Sequence, residues 1–150
     1  MKTVKSTVLP VIALRDMVIV PNRTESFYMG REKSILAMKA VSKGNKLIIL
    51  IPQKNPKIED PDPADLHTFG TIAQIISIMP LEAKNVEEAY GVIVEGKKLV
   101  RVIKFLPHKK YLQCEFKQIK AKKIKIGYTL NIPNEGESLN RTIIEFTPSN

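Results

Sequence analysis

The sequence predicts a mainly β domain of the α+β kind with one packed helix, and three observations support this class. Short runs rich in valine and isoleucine recur along the chain between Gly, Pro and Asn residues, as in strands joined by turns. One segment, residues 31–43, instead has apolar residues at helical spacing. Hydrophobic residues make up 43% of the 150 residues, enough to build the core of one domain. We expect about six to eight strands in a partly closed barrel.

The first third of the chain predicts a strand–strand–helix unit. Val8 to Leu14 and Met17 to Val20 are apolar runs typical of strands, and Glu25 to Met29 is a further extended piece. Gly30 ends that piece and precedes the helix, where the wide apolar stripe suits packing against a sheet. This unit cannot bury its apolar faces alone, so the rest of the chain must supply the sheet.

The remaining strands follow from apolar runs and their flanking turn residues. Gly70 to Met79 has the highest density of β-branched residues, which favours a central position. Gly91 to Glu95 and Leu99 to Leu106 are expected to pair as a hairpin around Gly96. Two further strands are predicted at Lys46 to Ile51 and Tyr111 to Ile119.

The last thirty residues differ from the rest, so we predict a boundary that separates residues 1–120 from residues 121–150. Lys120 to Ile126 alternates lysine with apolar residues, as in an edge strand protected by charge. Glu137 to Phe146 has apolar residues on one helical face and is expected to begin a short C-terminal helix. A helix that starts so near the last residue favours a fragment of a longer protein over a stand-alone one.

Composition excludes several classes of function. No apolar run reaches the roughly 18 residues of a membrane helix, and no signal peptide is recognisable, so we expect a cytoplasmic protein with no membrane contact. There is no phosphate-binding glycine motif, and the two histidines, His67 and His108, lack zinc-site spacing. The single cysteine, Cys114, lies on the apolar side of a strand and is expected to be core packing. We therefore predict no catalytic, metal-binding or cofactor-binding residues in this chain and favour a binding module.

The net charge of +9 is concentrated in one segment. Between Lys97 and Lys125 the chain has eleven Lys or Arg residues and one acid, Glu115. Such a segment attracts nucleic acid, anionic lipid or acidic protein, or it is a solvated strand face that keeps the protein in solution.

Several short motifs resemble one known family. They occur in the family's order from about Leu9 to Ile119, and together they are specific although each alone is weak. They are Ala13 to Asp16, Val18, Pro21, Gly30 to Ile35, Gln53-Lys54, Asp65-Leu66, Gly70 to Ala73, Val92 to Gly96 and Arg101-Val102. This set resembles the N-terminal domain of the Lon protease family.

The resemblance implies both a fold and a function. The fold would be a PUA-like pseudo-barrel, and the function would be recognition of unfolded or degron-bearing polypeptides for an ATP-dependent serine protease. The implied parent uses ATP and Mg²⁺, forms a homohexamer and has its ATPase domain and Ser–Lys catalytic pair outside these residues. The piece itself is expected to be a monomer or a weak dimer.

Candidate polypeptide-binding residues lie at two places, each with a structural alternative. The resemblance points to Arg31, Glu32 and Lys33, which otherwise complement the helix dipole or are simply solvated. Met79-Pro80-Leu81 leave the central strand, where they form an exposed apolar patch or a strand end buried in the core. Phe27 and Tyr28 point to opposite faces of their strand, so we expect one of them at the surface.

The sequence is compatible with two functions from different classes. The first is substrate recruitment for a protease. The second is nucleic-acid binding, including contact with DNA, through the electrostatic patch Lys104, Lys110, Lys117 and Lys122, although few aromatic residues are available for base stacking.

Overall fold

The residues that the structure describes form eight strands, one α-helix and a 3-10 turn. In this computed structural model, residues 8–15, 17–82 and 88–119 are described in full, and residues 121–130 and 140–148 by their backbone. The elements are β1 (Val8–Leu14), β2 (Thr24–Met29), α1 (Glu32–Ser42), β3 (Leu47–Pro52), η1 (Pro63–Asp65), β4 (Phe69–Pro80), β5 (Tyr90–Leu106), β6 (Leu112–Gln118), β7 (Ala121–Leu130) and β8 (Asn140–Pro148).

Six strands form one sheet that closes partly on itself. The strand order is β2-β5-β4-β3-β1-β6, and β6 also pairs with β5. β5 makes this closure possible because its 17 residues are long enough for two neighbours on one edge. β2 pairs with its first half and β6 with its second half, while β4 follows its other edge. The predicted class, mainly β with a partly closed ring and one packed helix, is confirmed.

Alternation along the strands divides the core into two clusters. In β3, Ile48 and Leu50 belong to the cluster beneath α1, whereas Ile49 and Ile51 belong to the second cluster, and all four are buried. A continuous apolar run therefore reflects a strand that is buried on both faces. Helix α1 buries Ser34, Ile35, Ala37, Met38 and Val41 against the first cluster.

Cys114 belongs to the second cluster, as predicted, and its thiol is fully buried. Burial raises the pKa of this thiol from its ordinary 9.0 to about 12. Because the folded state holds this proton more tightly, the neutral thiol stabilises the fold fully below pH 9 and this contribution is lost as the pH rises towards 12. We expect alkylation of Cys114 by iodoacetamide at pH 8 to be at least about tenfold slower in the native protein than in urea. Equal rates in both conditions would contradict its placement in the core.

Two predicted elements in the first six strands are wrong, and both errors meet at Gly96. The expected hairpin over residues 91–106 is the single strand β5, and Met17 to Val20 is not a strand. A Cβ atom at Gly96 would lie 2.8 Å from the carbonyl carbon of Val20. This glycine therefore does not form a turn; it leaves space for the segment around Ile19 and Val20, which crosses β5 here and which we call the crossing segment. The crossing segment is anchored by side-chain bonding, because the Thr71 hydroxyl donates to the Ile19 carbonyl at 2.6 Å.

The predicted C-terminal helix is also wrong in the part that the structure describes. Residues 140–148 form strand β8, which pairs antiparallel with β7 in a separate two-stranded sheet. Thr142, Ile143 and Ile144 are β-branched, and such residues favour strands even where the apolar spacing also fits a helix. The lysine-rich strand predicted from Lys120 is present as β7, and the boundary near residue 120 stays a prediction.

Candidate functional site

Large apolar side chains are exposed together on the outer face of the sheet where β2, β5 and β4 lie side by side. Tyr28 of β2 is opposite Gly91 of β5, and Gly91 is opposite Met79 of β4. Ile93 lies two residues along β5 on the same face. Tyr28 is 57% exposed, Met79 61% and Ile93 39%.

Leu81 completes this surface by folding back over the glycine between the strands. Its backbone N–H donates to the Ala89 carbonyl at 2.9 Å, which returns the chain towards β5. A Cβ atom at Gly91 would lie 3.7 Å from Leu81 Cδ1, so Leu81 covers the space above Gly91 while staying 40% exposed. We call Tyr28, Met79, Leu81 and Ile93 the apolar patch. Of the two possibilities for Met79-Pro80-Leu81, an exposed patch or a strand end buried in the core, the structure shows the exposed patch. Pro80 is exposed as well.

Of the two aromatic residues in β2, Tyr28 is the surface residue and Phe27 is half-buried against the core under α1. The Tyr28 ring lies over Gly30, where an added Cβ atom would be 2.9 Å from its hydroxyl oxygen. Alternation along β2 was the signal that separates the two residues, but the sequence does not say which parity is buried. Ile93 was missed for the same reason, because it lies within an unbroken apolar run.

Arg31 is the N-cap residue of α1, and its side chain is directed into the fold. Its guanidinium donates to Gln53 Oε1 at 2.7 Å, to the Ala13 carbonyl at 2.7 Å and to the Glu59 carbonyl at 3.2 Å. Arg31 therefore ties the helix start to β1 and to the residues that follow β3.

The charges around Arg31 act in opposite directions. Desolvation lowers the pKa of Arg31, as does the positive charge of Arg15, whereas Glu59 and Asp60 raise it. The guanidinium nonetheless stays protonated, since an arginine side chain does not lose its proton in proteins. The next two predicted residues are nearer to solvent, with Glu32 exposed and Lys33 Nζ 2.9 Å from Asp60 Oδ1.

Two grooves flank Arg31. The first, which we call the β2 groove, has a volume of about 480 Å³. It is lined by residues 27–31 at the end of β2 and, across from them, by residues 12–15 and Met17. The second, of about 290 Å³, is lined by Glu32, Lys33 and the acidic residues Glu59 and Asp60. The structure therefore brings Phe27 and Arg31 together in one groove, Arg31, Glu32 and Lys33 in the other, and links the first groove to the apolar patch through Tyr28.

The electrostatic residues predicted for nucleic acid do not form one surface with a single charge. Lys104 is opposite the acid Glu115 across β5 and β6, and Lys117 is opposite Arg101. Lys110 lies in the loop before β6, and the side chain of Lys122 lies outside the described residues.

The described residues contain neither a metal-binding cluster nor a membrane-spanning helix. Among them, no group of three His, Cys, Asp or Glu side chains is placed to hold a metal ion. No helix within the same residues has the length and hydropathy needed to cross a membrane.

Comparison with known proteins identifies the family. The sequence profile of the ATP-dependent protease La (LON) substrate-binding domain matches residues 8–147. The Lon protease of Halothermothrix orenii is 39% identical over 112 residues, covering 75% of this chain and 14% of that protein. The Lon protease of Azospirillum brasilense is 31% identical over 140 residues, covering 93% of this chain and 16% of that protein. The chain thus spans about a seventh of the length of these relatives.

Solved structures agree on the fold. The N-terminal domain of the Mycobacterium avium complex Lon protease superposes with a TM-score of 0.58 at 15% identity, covering 77% of this chain and 56% of that one. The Lon N-terminal domain protein from Xanthomonas campestris gives a TM-score of 0.56 at 13% identity, covering 77% of this chain and 61% of that one. The family match supports substrate binding and gives no support to the nucleic-acid hypothesis. With its profile match over residues 8–147, this chain belongs to the Lon substrate-binding domain family.

Proposed function

We propose that this chain binds unfolded or degron-bearing polypeptides on the apolar patch, as the substrate-recognition part of an ATP-dependent Lon protease. The observation that carries the proposal is the joint exposure of Tyr28, Met79, Leu81 and Ile93 on one sheet face. Contiguous exposed apolar surface marks interaction sites, and methionine adapts its shape to varied partners. A surface of this kind suits segments that are apolar but differ in sequence.

The grooves beside Arg31 supply polar groups next to the apolar patch. We assign Arg31, Glu32 and Lys33 to the rim that orients a bound chain, with Phe27 and Pro80 as supporting apolar contacts. Since Arg31 is held by three internal hydrogen bonds, its part is to shape the groove, while Glu32 is the exposed member.

The proposal extends to the whole protein. Its ATPase and protease domains would lie outside these residues, bind ATP and Mg²⁺, carry the Ser–Lys pair and assemble as a homohexamer in the cytoplasm. The isolated chain would be a monomer or a weak dimer. DNA contact through the predicted electrostatic patch stays a prediction without a supporting contact.

Met79→Asp tests the apolar patch. We expect this substitution to lower the affinity for a reduced and carboxymethylated, permanently unfolded protein by about tenfold or more, because it places a charge where an apolar side chain would be desolvated. Fluorescence anisotropy of the labelled unfolded protein measures the affinity.

Ile103→Asp is the matched control. Ile103 is 55% exposed at a bulge in the second half of β5, away from the patch. Its substitution should leave the affinity within about twofold. Binding through the patch should also change little between ~50 and ~200 mM salt, whereas nucleic-acid binding through lysines falls by decades. Equal losses for both variants, or a steep fall with salt, would contradict the proposal.

A further inference from the structure

Strand β2 has one edge without a partner strand in the part of the chain that the structure describes. It stands at the end of the sheet order, and β5 is the only described strand hydrogen-bonded to it. The outer edge of β1 and the edge of the second half of β5 are both paired, because β6 lies between them and closes the ring. The edge of β2 is therefore a short row of backbone donors and acceptors that lies directly beside the apolar patch.

One hydrogen bond shows which backbone groups face that edge. The Gly96 N–H donates to the Arg23 carbonyl at 2.9 Å, in the same register that pairs β2 with β5. In an antiparallel pair, hydrogen-bonded and non-hydrogen-bonded residues alternate. Arg23 is hydrogen-bonded to β5, so Thr24, Ser26 and Tyr28 are the non-hydrogen-bonded residues. Their N–H and C=O groups are directed away from β5.

The sequence of β2 has little of the usual protection of an edge strand, with Glu25 as its one charged residue. Natural edges are protected by lysine, proline or bulges that prevent another chain from pairing. β2 reads TESFYM, with no lysine, no proline and no register shift against β5. β7, by contrast, reads AKKIKIGYTL and carries three lysines. The open edge of β2 is thus compatible with a role in pairing.

A row of unpaired backbone N–H and C=O groups at a sheet edge binds another polypeptide in extended conformation. A strand added beside β2 would place every second side chain on the same face as Tyr28 and the apolar patch. Its other side chains would point to the opposite face, where the β2 groove of about 480 Å³ borders the end of β2. Main-chain pairing would supply affinity without sequence stringency, and the patch would select apolar residues at alternate positions.

We infer that polypeptide substrates bind in extended form by adding a strand to β2, through main-chain hydrogen bonds to Ser26 and Tyr28. This inference rests on the proposed function and specifies the conformation of the bound chain. The occupant is a polypeptide segment with apolar residues at alternate positions. A second copy of this chain, paired β2 to β2, is the competing occupant that the experiment separates.

Ser26→Pro tests the inference in the full chain. Proline removes the hydroxyl and, of the backbone hydrogen-bonding groups, only the N–H, which faces away from β5; an edge strand tolerates it there. Ser26→Ala is the matched control, because it removes the same hydroxyl and keeps the N–H. The probe is a ten-residue peptide that alternates valine with threonine and ends in lysine. We expect Ser26→Pro to weaken peptide binding by about tenfold or more and Ser26→Ala to change it by less than about twofold.

Amide hydrogen exchange gives a second readout that needs no variant. In the wild-type chain the peptide should slow exchange at Ser26 and Tyr28, whereas Phe27, already bonded to β5, should change little. Binding without that protection, or equal affinity of the proline and alanine variants, would overturn strand addition and leave the proposed function standing. Failure to bind any polypeptide would overturn both. Protection of Ser26 and Tyr28 before peptide is added, in a chain that sediments as a dimer, would assign the edge to self-pairing and overturn the inference.

Discussion

Gly96→Ala is expected to lower the free energy of unfolding by about 3 kcal/mol, the upper end of what overpacking of a core typically costs. The added Cβ atom would fall on the carbonyl oxygen of Val20 and lie 3.2 Å from Ile19 Cγ2. The two nearest atoms, the carbonyl oxygen and carbonyl carbon of Val20, are backbone, so no side-chain rotation relieves the clash. For a domain of this size the loss corresponds to a fall in Tm of about 6–12 °C.

The crossing segment has little freedom to move away. The Asn22 N–H donates to the Gly96 carbonyl at 2.9 Å, and the Gly96 N–H donates to Arg23. Thr71 holds the Ile19 carbonyl from the other side. Urea unfolding followed by circular dichroism measures the change.

Gly44→Ala is the control for the glycine substitution. The nearest heavy atom to an added Cβ there is the Val41 carbonyl oxygen at 3.9 Å, an ordinary contact. Its expected effect is within about 0.5 kcal/mol. A Gly96→Ala protein as stable as the Gly44→Ala protein would show that Val20 does not approach β5 as closely as described.

Arg31→Met is expected to lower the free energy of unfolding by about 2 kcal/mol. The substitution keeps an unbranched apolar stem but leaves the Gln53 side-chain oxygen and the Ala13 carbonyl without their donor, and an unsatisfied buried acceptor costs about 1–3 kcal/mol. Gln53 is buried, with 5% exposure, so water does not readily replace the guanidinium. Urea unfolding gives the stability, and the chemical shifts of Ala13 and Gln53 report the local change.

Arg15→Met removes the same charge and serves as the matched control. Arg15 makes a longer contact, 3.6 Å to Glu59 Oε1, and the two side chains are 40% and 86% exposed. Surface pairs of this kind contribute about 0–1 kcal/mol. If the two variants were equally stable, Arg31 would be a solvated residue and its three hydrogen bonds would not hold in solution.

The sequence predicts the fold class and the positions of most strands well. It fails where contacts with neighbouring elements decide whether a segment becomes a strand, a turn or a helix. The buried runs in β3 and β4 are visible because a strand covered on both faces needs continuous apolar residues. The predicted turn at Gly96 is wrong because a glycine required where another segment crosses the strand looks the same in sequence as a glycine required by a reverse turn. The predicted C-terminal helix is wrong because the apolar residues of β8 fit both the helical and the strand period, and only pairing with β7 decides between them.

Only the part of the candidate site that lies in one continuous segment was predictable from the sequence. Met79-Pro80-Leu81 stands out because an apolar strand end runs into a polar segment. Tyr28 and Ile93 join it through register across β5, which no single segment encodes. The charge of Arg31 suggested a surface role, but its side chain is held by carbonyl and amide oxygens of distant segments, and these contacts form only when the fold brings them together.

Because β6 closes the ring, the order of synthesis decides when β1 can complete its pairing. β1 pairs with β6, which follows it by roughly 100 residues, so at ~5–20 residues per second β1 waits about 5–20 s on the ribosome for this partner. During that interval β1 presents an open edge, and the second half of β5 presents one from its own synthesis until β6 follows, and open edges invite association with other chains. A nascent chain that stops before Leu112 keeps those edges open, so the ring closes only in a piece that extends into β6.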